Sequence, residues 1–112
     1  MTLEQSVPPT DQVIPRQVSV EIDEDNVMRV KSGTSPHTLA SAISHALLAG
    51  RPVKIRAIGA GAVGQAVKSL AIARGYTAPA GIDIAFIPAF ATVTGDKGDT
   101  VSAMTFRVVR LG

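Results

Sequence analysis

Residues 55–75, IRAIGAGAVGQAVKSLAIARG, pass from a strand pattern through a cluster of glycines into a helix pattern, the signature of a β-turn-α unit. Pro52 to Ile58 alternates apolar and basic residues, as a half-buried strand does. Gly59, Gly61 and Gly64 form a bend that opens a helix with Val63, Ala66, Val67 and Leu70 on its apolar face, and Gly75 marks its end. The literal G-x-G-x-x-G at 59–64, followed by Asp83, raises a dinucleotide reading. That reading needs the acid at the far end of the next strand, beside the phosphate loop. Asp83 falls instead near the start of its strand, and the chain is too short for two mononucleotide halves and a substrate site. The glycines are better read as allowing a tight turn and a closely packed helix. The free N–H groups of Gly61, Ala62, Val63 and Gly64 at the helix start favour anions, so a phosphate could sit there.

Working outward, Val27 to Lys31 reads as the first strand of the domain. The helix after it is clearly punctuated, with Ser35 as N-cap, Pro36 at the first helical position and Gly50 at the end. Leu39, Ile43 and Leu47, joined by Ala42 and Ala46, make one apolar stripe. Downstream, Ile82 to Ile87 is a third strand limited by Pro88. TGDKGD (94–99) is a hairpin tip, and Thr100 to Arg110 is a long fourth strand. The order is β-α-β-α-β-β. It implies an α/β chain of the two-layer α+β kind, with two helices on one face of a four-stranded sheet.

Upstream, VSVEI (18–22) alternates as a short strand would, and DEDN (23–26) turns the chain into the next strand. A calcium loop over Asp23 and Asp25 fails, because the sixth position is Met28 where the turn needs glycine. Residues 1–17, with Pro8, Pro9 and Pro15 and little periodicity, read as a disordered tail. The division is an acidic N-terminal extension, 1–25, and one folded domain, 26–112.

Charge separates the two parts. Residues 1–25 carry −5 and residues 26–112 carry +7, so an acidic tail is tethered to a basic domain. Basic surfaces attract polyanions. Alternation sharpens the point. If Met28, Val30, Val53, Ile55, Ala57, Met104, Phe106 and Val108 face the helices, then Arg29, Lys31, Lys54, Arg56 and Arg107 share the open face of the sheet.

Other chemistries find little support. The chain has no cysteine, which excludes disulfides and thiolate sites and suits a reducing compartment. His37 and His45 lie eight positions apart on one helix, which cannot make a metal site within one turn. Asp83, Asp96 and Asp99 are the only acids of the domain, and the last two belong to a turn. There is no nucleophile–base pair, so no enzyme and no cofactor are expected. The start lacks a signal peptide's basic and apolar regions. The longest mainly apolar run, Ile84 to Val93, is far short of the ~20 residues of a membrane span. A cytoplasmic protein without membrane contact is expected.

SPHTLASAISHALLAG (35–50), IRAIGAGAVGQAVKSLAIARGYTAP (55–79) and GIDIAFIPAF (81–90) resemble the bacterial stage V sporulation protein S family. With the flanking strands the resemblance covers about residues 27–111. It implies an Alba-like fold, a dimer and a regulator of sporulation, septation or development acting through nucleic acid. It implies no cofactor and no reaction. The wider likeness to archaeal Alba chromatin proteins implies contacts through a basic loop before the first helix, a basic turn before the second and an extended hairpin. Here these carry Lys31-Ser32-Gly33-Thr34, the uncharged Gly59-Ala60-Gly61, and Lys97 alone. The departure argues against general coating of DNA.

Two readings follow. One is a dimeric or higher-order nucleic-acid-binding regulator, for DNA or RNA, using Lys31, Lys54, Arg56, Lys68, Lys97 and Arg107 on the phosphate backbone. The other is a protein-interaction module of the developmental or cell-division machinery, with the acidic tail and a sheet edge as docking surfaces.

Overall fold

These patterns resolve, in a computed structural model that describes residues 20–22 and 26–111, into eight elements. They are β1 (Glu21–Ile22), β2 (Val27–Val30), α1 (Pro36–Leu48), β3 (Lys54–Ala57), α2 (Ala60–Thr77), a 3-10 turn (Ala78–Ala80), β4 (Asp83–Thr94) and β5 (Thr100–Leu111). The sheet runs β1-β2-β3-β5-β4. Only β2 and β3 are parallel, and α1 supplies the crossover that a parallel pair needs.

The class is the expected α+β one, with a five-stranded rather than four-stranded sheet. The extra strand is the end of the alternating VSVEI segment, where Glu21 and Ile22 pair antiparallel with Arg29 and Met28. The acidic run 23–25 and the proline-containing tail 1–17 lie outside the described residues.

One side of the sheet is covered by both helices. Met28, Val30, Ile55, Ala57, Phe106 and Val108 pack there against Leu39, Ile43 and Leu47 of α1 and Ala62, Ala66, Leu70 and Ala73 of α2. Phe86 meets Phe106 edge to face, ring centroids 5.2 Å apart, and closes the core toward β4. Helix α1 begins where its punctuation says: the Thr38 N–H donates to Ser35 Oγ at 3.3 Å, with Pro36 in the first turn.

Helix α2 differs from its sequence reading in three respects. Its buried side is made of small residues (Ala62, Ala66, Ser69, Ala73) with Leu70, while Val67 is exposed. The small side chains let the two helices approach closely, and Ser69 satisfies its hydroxyl on the Gln65 carbonyl at 2.7 Å. The helix also runs through Gly75 and stops only after the 3-10 turn, at Gly81, whose φ of +79° breaks the spiral. Finally, Gly64 does not serve close packing: a Cβ there or at Gly75 would meet nothing within 4 Å. Gly64→Ala and Gly75→Ala should therefore each raise stability by about 0.5–1 kcal/mol in urea melts, since glycine is costly inside a helix.

The third predicted strand is longer than expected. Pro88 does not end it; β4 continues to Thr94, paired with β5 throughout. An edge strand can hold a proline because one of its rows of N–H groups has no partner strand.

Candidate functional site

The face of the sheet opposite the helices holds the basic residues. Register sets them in two rows. Glu21, Arg29, Arg56 and Thr105 lie side by side across β1, β2, β3 and β5, and Lys54 lies opposite Arg107 across β3 and β5. Neighbouring strands are about 4.8 Å apart, so Arg29 is beside Arg56 and Lys54 beside Arg107 at close to that spacing. Like charges placed directly across strands destabilise a sheet. Among the described residues no carboxylate lies within ion-pair distance of Lys54 or Arg107.

Lys31 follows β2 and continues the same alternation. Its loop is pinned. The Lys31 N–H donates to Thr34 Oγ1 at 2.9 Å, the Thr34 N–H returns to the Lys31 carbonyl at 3.1 Å, and Gln65 Nε2 of α2 donates to the Thr34 carbonyl at 2.8 Å. A Cβ added at Gly61 would lie 3.0 Å from Ser32 Cβ, so the helix start sits directly against this loop. Between them, at the carboxyl ends of the two parallel strands, is a shallow cleft of about 420 Å³. Arg29, Lys31, Arg56, Gly59, Gly61 and Ala62 are among the residues that line it. Gly59, the residue before α2, makes no side-chain cap, so the first amides of the helix keep their affinity for an anion.

The structure thus brings together Lys31, Lys54, Arg56 and Arg107, with the helix start at Gly61 and Ala62 at one end of the group. Arg29 joins them. Val63 is partly buried beneath, and Gly64 does not line the cleft. Lys68 belongs to the helix layer, where its Nζ donates to Gln65 Oε1 at 3.5 Å, and Lys97 is at the β4–β5 hairpin tip. Neither is part of the group. Sequence reasoning did not anticipate Gln65 as the clamp on the loop, because a lone glutamine on a helix gives no pattern. Nor did it single out Glu21, whose carboxylate meets Arg29 and Lys31.

A second cleft of about 460 Å³ lies at the far end of α2, around Arg74 and Asp83. These two neutralise each other, with Arg74 Nε donating to Asp83 Oδ1 at 2.7 Å. That hydrogen bond from Arg74 holds the Asp83 carboxyl below its ordinary range. Asp83 is therefore committed to α2, on an edge strand, and not beside the glycine loop where a ribose would lie. No group of three His, Cys, Asp or Glu residues that could hold a metal occurs among the described residues. No helix among them is long and apolar enough to cross a membrane.

A family model described as stage V sporulation protein S matches residues 26–111. The chain belongs to that family. As a stage V sporulation protein S family member it shares a sporulation-related class, and β1 lies ahead of the matched segment. Among solved structures, Alba from Thermoplasma volcanium superposes with a TM-score of 0.55 at 20% sequence identity, over 76% of this chain and all of that one. At that identity the likeness is one of fold. The Alba-like arrangement expected from the sequence is the one observed.

Proposed function

We propose that this stage V sporulation protein S family member is a cytoplasmic, homodimeric regulator that holds the phosphate backbone of a nucleic acid on the open face of its sheet. One observation carries the reading: Lys54 against Arg107, like charges in register across β3 and β5, both exposed and with no carboxylate in ion-pair distance among the described residues. Such an arrangement costs the free protein stability and is offset when an anion lies across it. The fold likeness to an Alba protein supports the same reading. Specificity should be low. All four aromatic residues are accounted for elsewhere, Tyr76 on α2 and Phe86, Phe90 and Phe106 on the helix side of the sheet, so no platform for base stacking exists on the basic face. The test is a titration with duplex DNA and duplex RNA of equal length at several salt concentrations. Affinity that falls steeply with salt supports the proposal, and binding that is absent at low salt or indifferent to salt overturns it.

Self-association has its own support. Phe90 is 83% exposed on the long β4–β5 hairpin, and Phe86 is exposed on the same face of it. Burying a phenylalanine contributes about 1.5–3 kcal/mol. Phe90→Ser should therefore raise the dissociation constant of the homodimer at least about tenfold in sedimentation equilibrium. If self-association is unchanged, this apolar patch fits the second reading better, as a docking surface for another protein.

A further inference from the structure

The Glu21 carboxylate takes both of its ionic partners from the cations that line the cleft. Its Oε2 accepts a hydrogen bond from Lys31 Nζ at 3.1 Å, and its Oε1 lies 3.7 Å from Arg29 Nη1. Strand pairing puts it there, since Glu21 is in register with Arg29 across β1 and β2. A carboxylate and a phosphate offer these cations the same charge-assisted bonds. Both side chains and the acid remain about half exposed or more, so the contacts are open to solvent and easily exchanged.

We propose that Glu21 is an intramolecular competitor for the phosphate groups of the ligand, so that the strand added ahead of the family domain regulates the basic face. The inference rests on the nucleic-acid reading above and concerns how that site is tuned. Because the competitor is attached to the same chain, it acts at high local concentration whatever the protein concentration. A phosphate reaching Lys31 must displace the carboxylate, and the exchange lowers apparent affinity without closing the site. The effect should be strongest at low salt and fade as screening weakens both partners.

Glu21→Gln keeps the length of the side chain and the backbone pairing of β1 and removes only the charge. It should tighten binding of a 20-base-pair DNA duplex about two- to tenfold at low salt, the range that two exposed ion pairs allow. Inorganic polyphosphate provides a second probe that carries phosphates and no bases. Tighter binding of both probes, with an unchanged melting temperature, supports the proposal. If the wild type binds duplex with a steep salt dependence and Glu21→Gln binds equally well, the competitor is overturned and the nucleic-acid reading stands. If duplex fails to bind either form while polyphosphate binds the variant more tightly, the competitor stands and the nucleic-acid reading falls. Failure of both probes with both forms overturns both.

Discussion

Replacing Lys54 and Arg56 together with glutamate should weaken binding to duplex DNA by at least about a hundredfold at 50 mM salt, measured by fluorescence anisotropy. Five cations share the open face. If four or five phosphates are neutralised, the log–log salt slope is about −4, so raising salt from 50 to 200 mM costs the wild type roughly 150- to 500-fold in affinity. The double reversal removes two of those contacts and sets two carboxylates beside Arg29 and Arg107, so most of the electrostatic attraction disappears. The fold should survive, because Lys54 is exposed and Arg56 half-buried at the sheet surface. A sharper corollary concerns Lys54→Glu alone. It puts opposite charges across β3 and β5, where like charges now stand, so its melting temperature should equal or exceed that of the wild type while binding falls. Lost binding with gained stability would identify Lys54 as a residue kept for its ligand. Retained binding in the double variant would send the function back to protein contacts.

The second large effect is at Gly59. Its backbone lies at φ 92°, ψ 153°, a region essentially closed to residues with a side chain. Nothing stands within 4 Å of a Cβ built there, so the penalty is backbone strain and not collision. Gly59→Val should cost about 1–3 kcal/mol. For a domain of this size each kcal/mol corresponds to roughly 4–8 °C in melting temperature, so the loss is easily read in a thermal scan. The contrast with Gly64→Ala, expected to stabilise, separates two glycines of one motif by their physical roles. The same melts with NAD or ATP test the dinucleotide reading: no ligand-induced rise is expected in the wild type, and a clear rise would restore that reading.

Much of this was legible in the chain, for reasons that differ by element. Ser35-Pro36 fixed the start of α1 because capping is local chemistry, and the alternation around Arg29, Lys54 and Arg107 fixed which face is basic because side chains along a regular strand point to opposite faces in turn. What escaped was set by neighbours. Whether Pro88 ends a strand depends on whether that strand is an edge, and edge position is a property of the sheet. Gly75 reads as a helix stop until α1 lies alongside and tertiary packing carries α2 past it. An apolar count puts Val67 on the buried face of α2 because alanines contribute little to it, yet small residues are what a close helix pair buries. The grouping of Lys31 with Arg56, and the exclusion of Lys68 and Lys97, follow from topology that spacing alone does not contain.

The sheet's two borders bear on a different matter, how copies of the chain avoid unlimited growth. Among the described residues, the two-residue strand β1 ends the array on one side, with too few backbone groups to recruit another strand efficiently. On the other, β4 offers a twelve-residue rim, long enough to template pairing, and it is interrupted at Pro88. Because β5 pairs with β4 on both sides of that residue, the donor that proline lacks is one that would have pointed outward. The rim is therefore broken into two short runs. A strand meeting that rim is thereby denied the continuous ladder from which fibrils grow.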